Sequence, residues 1–194
     1  MGFACGVLHV ISIEKLQGAA ARHPEFRLEW AEDFNENILE LLREGTLSCG
    51  FCVGSRSPEG FFRRELFQAP VEAVVYPGHP LYDRDSLSLE DLKGEPLLCL
   101  NEHFSIYHNV VERCGDFGFT PHFAVKTMES SLIYQFCQEG RGIGIDAAIH
   151  PVEAPLRQIA LRETSPWQVS FVCPQNRAEE PLFQELLAVC PQGK

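Results

Sequence analysis

Two cysteines three residues apart, Cys49 and Cys52 in the segment CGFC, have the spacing of a thioredoxin-type dithiol. Redox chemistry at such a pair needs a thiolate, and thiolates form where a helix N-terminus or a cation lowers the thiol pKa. Here the pair lies in the apolar run SCGFCVGS at 48–55, which reads as a strand covered on both faces, and strand residues three apart point to opposite faces. Core thiols account for the pair, and for the cysteines at 5, 99, 114, 137, 173 and 190, which lie mostly in apolar segments. A second group, His103, Phe104 and Ser105, follows a buried apolar run and opens a helix. In an open α/β sheet that is the crevice where ligands bind, the helix N-terminus offering N–H groups to an anion and His103 a switchable charge. The plainer reading, a polar helix cap with Phe104 packed behind it, stands equally well on the residues alone.

His9, His23, His79, His108, His122 and His150 show no metal-ligand spacing with cysteines or acids. Residues 108–109 and 114–116 read as helix surface and helix end. Nucleophile-elbow, phosphate-loop and dinucleotide fingerprints are missing, and GRGIG at 140–144 lacks the preceding strand that a phosphate loop requires. The sequence therefore gives an enzyme no positive support and calls for no cofactor or metal.

The elements that must position these residues alternate. Residues 2–6 read as a strand and 7–22 as a helix. Residues 26–30, FRLEW, form a one-side-buried strand with Phe26, Leu28 and Trp30 on one face. Asp33 or Asn35 caps a helix through Ile38, Leu39, Leu41 and Leu42 that Gly45 ends. Strands are expected over 71–76, 96–100, 122–127, 143–145, 156–161 and 167–174. Helices are expected over 105–117, 128–139 and 180–190, with no more than a helical turn at 89–92. The helix at 128–139 stops at Gly140, where a left-handed cap is wanted. Alternation of this kind predicts an α/β fold with mainly parallel sheets.

A chain of 194 residues suffices for one large domain or two small lobes. If it forms two lobes, the strands VEAVVYP and WQVSFVCP are the expected crossings. Sixteen basic against 27 acidic residues give a net charge of −11, which opposes binding to a phosphate backbone. No apolar run reaches the roughly 18 residues of a membrane span.

Five segments, RHPEFRLE at 22–29, REGTL at 43–47, PGHPL at 77–81, LEDLKGEP at 89–96 and EGRGIGI at 139–145, follow one another in a specific order and spacing. Together they resemble the effector-binding domain of LysR-type transcriptional regulators, whose fold is similar to type 2 periplasmic binding proteins. The resemblance implies two Rossmann-like lobes, 1–75 with 170–194 and 76–169, joined by two crossover strands. The winged helix-turn-helix that precedes this domain in the family is absent here. A small anionic metabolite in the interlobe cleft would shift the lobe arrangement and so control DNA binding and transcription by the full-length protein.

The resemblance places ligand contacts at Gly6, Asn35 and Gly54 in lobe one. In lobe two it places them at His103, Phe104, Ser105, Thr127, Met128 and Ser130. It also implies a cytoplasmic homodimer, with Val10, Ile13 and Phe26 supplying apolar surface, and a higher oligomer of the full-length protein. DNA contact belongs to the missing N-terminal domain. Two positions depart from the family pattern: Ser48 replaces the usual acid, and Gly6 replaces a small hydroxyl residue, removing a donor. Two rivals remain, a thiol-based redox sensor or oxidoreductase using Cys49 and Cys52, and a free-standing solute-binding protein.

Overall fold

The computed structural model describes residues 1–24, 28–54 and 58–191. By its internal packing the chain divides into two units, Met1–Gln68 with Gln168–Lys194, and Ala69–Trp167. In chain order the first elements are β1 (Gly2–Ala4), α1 (Ile13–Ala20), β2 (Ala31–Asp33), α2 (Asn35–Arg43), β3 (Gly50–Val53) and β4 (Phe61–Ala69). The second unit carries β5 (Val71–Val75), β6 (Ser86–Leu87), β7 (Pro96–Leu100), α3 (Ser105–Asp116), β8 (His122–Thr127), α4 (Ser130–Gln138), β9 (Ile143–Ala147) and β10 (Arg157–Leu161). The chain then returns through β11 (Trp167–Pro174) to α5 (Pro181–Val189).

The first unit is built on the sheet β2-β1-β3-β11-β4, in which β1 is parallel to both neighbours and β11 runs antiparallel to β3. Register sets the core. Phe3 pairs with Phe51 and Phe51 with Phe171, so three rings stand in one row on one face. Phe3 and Phe51 stack at 5.0 Å, Phe171 meets Phe51 edge-on at 5.5 Å, and Phe183 of α5 continues the series at 5.6 Å. All four rings are buried, each worth roughly 1.5–3 kcal/mol by burial. The opposite face packs Cys52 and Val172 against Ile38 and Leu42 of α2.

The second unit uses the sheet β6-β10-β5-β9-β7-β8, with β7 parallel to β8 and β9 and β5 antiparallel to β9 and β10. The glycines of GRGIGI have a packing cause. A Cβ on Gly144 would stand 2.8 Å from Ile133 of α4, and one on Gly142 would stand 2.2 Å from the Pro96 carbonyl oxygen. Gly140 takes φ 73° directly after α4, the left-handed stop expected of it. A mixed α/β fold with two sheets thus matches the expected class.

Several elements depart from expectation. The helix expected over 7–22 is a short 3-10 turn at Val7–His9 followed by α1, because Gly6 turns the chain at φ 87° and Ser12 caps a new helix through the Lys15 amide. Of the strand expected at 26–30, residues 26 and 27 lie outside the described residues and Leu28–Trp30 join no strand. The chain pairs one step later, Ala31 beside Gly2, while half-exposed Trp30 sits edge-on to Phe3. Strand β4 went unread because its charged residues, Arg63, Arg64 and Glu65, hide the apolar signal.

Glu72 on β5 stands directly opposite Asp146 on β9 in the antiparallel ladder. Asp146 is buried and accepts from the Tyr134 hydroxyl at 2.7 Å and from the Ala147 amide at 2.8 Å. Burial pushes the Glu72 carboxyl up. A carboxyl with a raised folded pKa contributes stability that is complete below its unfolded pKa of about 4.3 and is lost as pH rises through the folded value. E72Q is therefore expected to gain stability over the parent at pH 7 and to lose that gain near pH 4. Thermal melts across this range check it, and a gap that stays constant with pH would contradict it.

Candidate ligand-binding site

Three neighbouring parallel strands of the first unit, β2, β1 and β3, present their carboxyl ends at one sheet edge. The expected residues follow those ends: Gly6 after β1, Asn35 after β2 and Gly54 after β3. Gly6 and Gly54 have φ 87° and 105°, a region where a side chain would be strained. Asn35 is not a helix cap. Phe34 holds the cap position, Asp33 Oδ1 accepts from the Phe34 backbone N–H at 2.7 Å and from the Asn37 side-chain Nδ2 at 3.0 Å, and Asn35 Oδ1 accepts from the Val53 backbone N–H at 2.7 Å. Asn35 thus pins the start of α2 to the end of β3, which leaves its amide nitrogen as the group on which a ligand role rests.

Gly54 is held on both sides. Its N–H donates to the Gln168 carbonyl at 2.9 Å, and its carbonyl accepts from Arg63 at 2.8 Å.

In the second unit β7 and β8 are parallel neighbours, so residues 103–105 and 127–130 also leave one sheet edge. Asn101 builds the first turn. Its N–H donates to the Thr127 carbonyl at 2.8 Å, its Oδ1 accepts from the His103 amide at 3.1 Å, and its carbonyl accepts from the Phe104 amide at 3.0 Å. Thr127 in turn accepts from the Glu129 amide through Oγ1 at 3.2 Å. The cap residues of α3 and α4, Phe104 and Glu129, make no side-chain capping bond. The first-turn amides of both helices therefore receive no bond from a cap side chain, and such a helix start suits an anion. Met128 is 57% exposed.

A β-bulge decides which side chains join this edge. Leu97 pairs with Phe123 and Leu98 with Val125, so Ala124 is the extra residue. Beyond it the alternation is reversed, placing Lys126 on the Phe123 face beside Tyr107 of α3. The Lys126 ammonium lies 5.6 Å from the Tyr107 ring and 3.2 Å from Glu102. Its own backbone N–H and Lys126 hold the Glu102 carboxyl below the usual range. Lys126 was missed in the sequence because strict alternation in HFAVKT gives no warning of a bulge. Asn101 was also missed, though an Asn three residues before a helix cap is a turn former that could have flagged it.

The CGFC pair is ill-suited to redox work. Cys49 precedes β3 and Cys52 lies within it, both buried, and burial pushes both thiols up to about 12. Among the described residues no group of three or more His, Cys, Asp and Glu side chains could hold a metal ion, and no helix is long and apolar enough to cross a membrane.

A family model described as the LysR substrate binding domain matches residues 3–193. An uncharacterised HTH-type transcriptional regulator of Bacillus subtilis strain 168, YwbI, is 26% identical over 123 residues, 63% of this chain and 41% of that protein. The hydrogen peroxide-inducible genes activator of Dickeya chrysanthemi is 26% identical over 109 residues, 55% of this chain and 36% of that protein. This chain thus spans less than half of either relative. Among solved structures, the BenM effector binding domain with its effector benzoate superposes with a TM-score of 0.77 at 20% identity, covering 97% of this chain and 89% of that one, which shows a shared fold.

Proposed function

We propose that this chain, which belongs to the LysR substrate-binding domain family, senses a small anionic metabolite on behalf of a transcriptional regulator. The reading rests on the paired strand ends of the second unit, where α3, just after His103, and α4 both start without side-chain caps. Gly6, Asn35 and Gly54 supply the first unit's share of the contacts. His103, Phe104, Ser105, Thr127, Met128 and Ser130 supply the second unit's. Benzoate, the effector of BenM, carries one carboxylate on an apolar ring, and Phe104 and Met128 beside the two helix starts suit a ligand of that class. The protein works in the cytoplasm, pairs with a second copy, and performs no catalysis.

Thermal melts against a panel of small carboxylates, benzoate included, with their neutral amides as controls, test this. A ligand at 100 times its Kd raises stability by about 2.7 kcal/mol. His103→Ala and Asn35→Ala should each weaken binding of the hit by about 1–3 kcal/mol, since a polar atom of the ligand is left unpaired. Asn35→Ala should also lower stability without ligand, because the Val53 N–H loses its acceptor. Preference for the neutral amides, or unchanged affinity in both variants, would refute the reading.

With a net charge of −11, the domain alone should leave duplex DNA unretarded at physiological salt. Retardation by this chain would mean that it carries a DNA surface of its own.

A further inference from the structure

One short stretch of chain, Ser165 to Gln168, is hydrogen-bonded at one end to the helix that Ser105 opens and at the other to the Gly54 turn. In the second unit Asn109 lies one helical turn beyond Ser105, on the same face of α3. Its side chain does what a neighbouring strand would do. Nδ2 donates to the Ser165 carbonyl at 2.9 Å and Oδ1 accepts from the Ser165 amide at 3.2 Å. Both backbone groups of Ser165 are thereby fixed, and Arg113 reaches the Ser165 hydroxyl at 3.5 Å.

Three residues later, in the first unit, the Gln168 carbonyl accepts from the Gly54 amide at 2.9 Å. Arg63 donates through Nη2 to the Gly54 carbonyl at 2.8 Å and to Gln168 Oε1 at 2.9 Å, and the Gln168 amide nitrogen bonds Glu65. The residues joining these clamps are Pro166, whose ring fixes φ, and Trp167, which is buried. Such a segment, about 10 Å long at full extension, has little freedom to absorb movement at one end without passing it to the other.

Building on the ligand reading above, we infer that Asn109 and Arg63 are positioning residues that tie the ligand turns at Ser105 and Gly54 to this segment, so that ordering either turn is transmitted to the other through residues 165–168. Neither side chain touches the ligand. Arg63 acts by holding the Gly54 backbone, and Asn109 by fixing Ser165 to the helix that Ser105 opens.

Hydrogen exchange of the free protein, resolved to single amides, tests the coupling without any ligand. Asn109→Ala should speed exchange at the Gly54 amide at least fivefold, and Arg63→Gln should do the same at the Ser165 amide. Ile133→Val, a core change in the second unit, measures the effect of stability loss alone and should leave Gly54 within twofold of the parent. If Asn109→Ala fails to fold, Asn109→Asp removes the donor to the Ser165 carbonyl, keeps the acceptor for its amide, and should show the same directional effect. Exchange changes confined to the mutated unit, or an equal change at Gly54 in Ile133→Val, would overturn the inference. Such a result would leave the ligand reading to be judged by the carboxylate panel.

Discussion

Gly142→Ala is expected to cost about 3 kcal/mol of stability, the upper range for forcing extra volume into a packed site. The added Cβ would lie 2.2 Å from the Pro96 carbonyl oxygen and 3.0 Å from its carbon, with Leu98 at 3.3 Å behind them. Backbone at the head of β7 cannot swing aside as a side chain can, so β7 and β9 must separate where they pair at Leu97 and Ile143. For a chain of this size the loss corresponds to roughly 6–12 °C in Tm. Gly18→Ala in α1, where a Cβ meets nothing within 4 Å, should instead gain about 0.5–1 kcal/mol from helix propensity. Chemical denaturation of both variants checks the pair, and a loss below about 1 kcal/mol in Gly142→Ala would contradict the packing argument.

Cys49 and Cys52 are expected to react with thiol reagents at least about 100-fold more slowly than an exposed cysteine. With the thiols pushed up to about 12, about 0.001% is thiolate at pH 7, against about 3% for an ordinary cysteine. The greater basicity of the thiolate returns part of that factor, and burial removes access. Cys5, half-buried at the end of β1, should react first. Cys49, which borders a pocket with Ser48 and Arg177, should precede Cys52 in the α2 core cluster. Peroxide should therefore form no Cys49–Cys52 disulfide in the folded protein, even though a peroxide-inducible activator is among the relatives. Cys52→Ser should cost about 1–3 kcal/mol by placing a hydroxyl in that cluster. Mass spectrometry after native alkylation decides the order, and rapid paired labelling of 49 and 52 would restore the redox rival.

Elements with one dominant signal were legible in the sequence. PLLCL, HFAVKT and WQVSFVCP became β7, β8 and β11 at the expected residues, because continuous or alternating apolar runs bounded by turn residues have one good way to be buried. Signals failed where tertiary pairing outweighed local pattern. FRLEW alternates, yet the ladder with β1 selects Ala31–Asp33, whose acids suit an exposed edge. In the candidate site the turn positions were visible as strand-to-helix junctions, but the residues that hold them were not. Asn109, expected on helix surface, clamps Ser165, and Arg63 and Gln168 meet across 105 residues of sequence. No local pattern encodes a partner that distant.

The proposed effector contacts at the strand-end turns are tested most directly by mapping backbone amide NMR shifts on titration with the best carboxylate from the panel. The account predicts saturable shifts in both units, at Gly6, Asn35 and Gly54 and at His103, Ser105 and Ser130. Shifts confined to one unit, or centred on Cys49 and Cys52 with the strand-end turns silent, would contradict it.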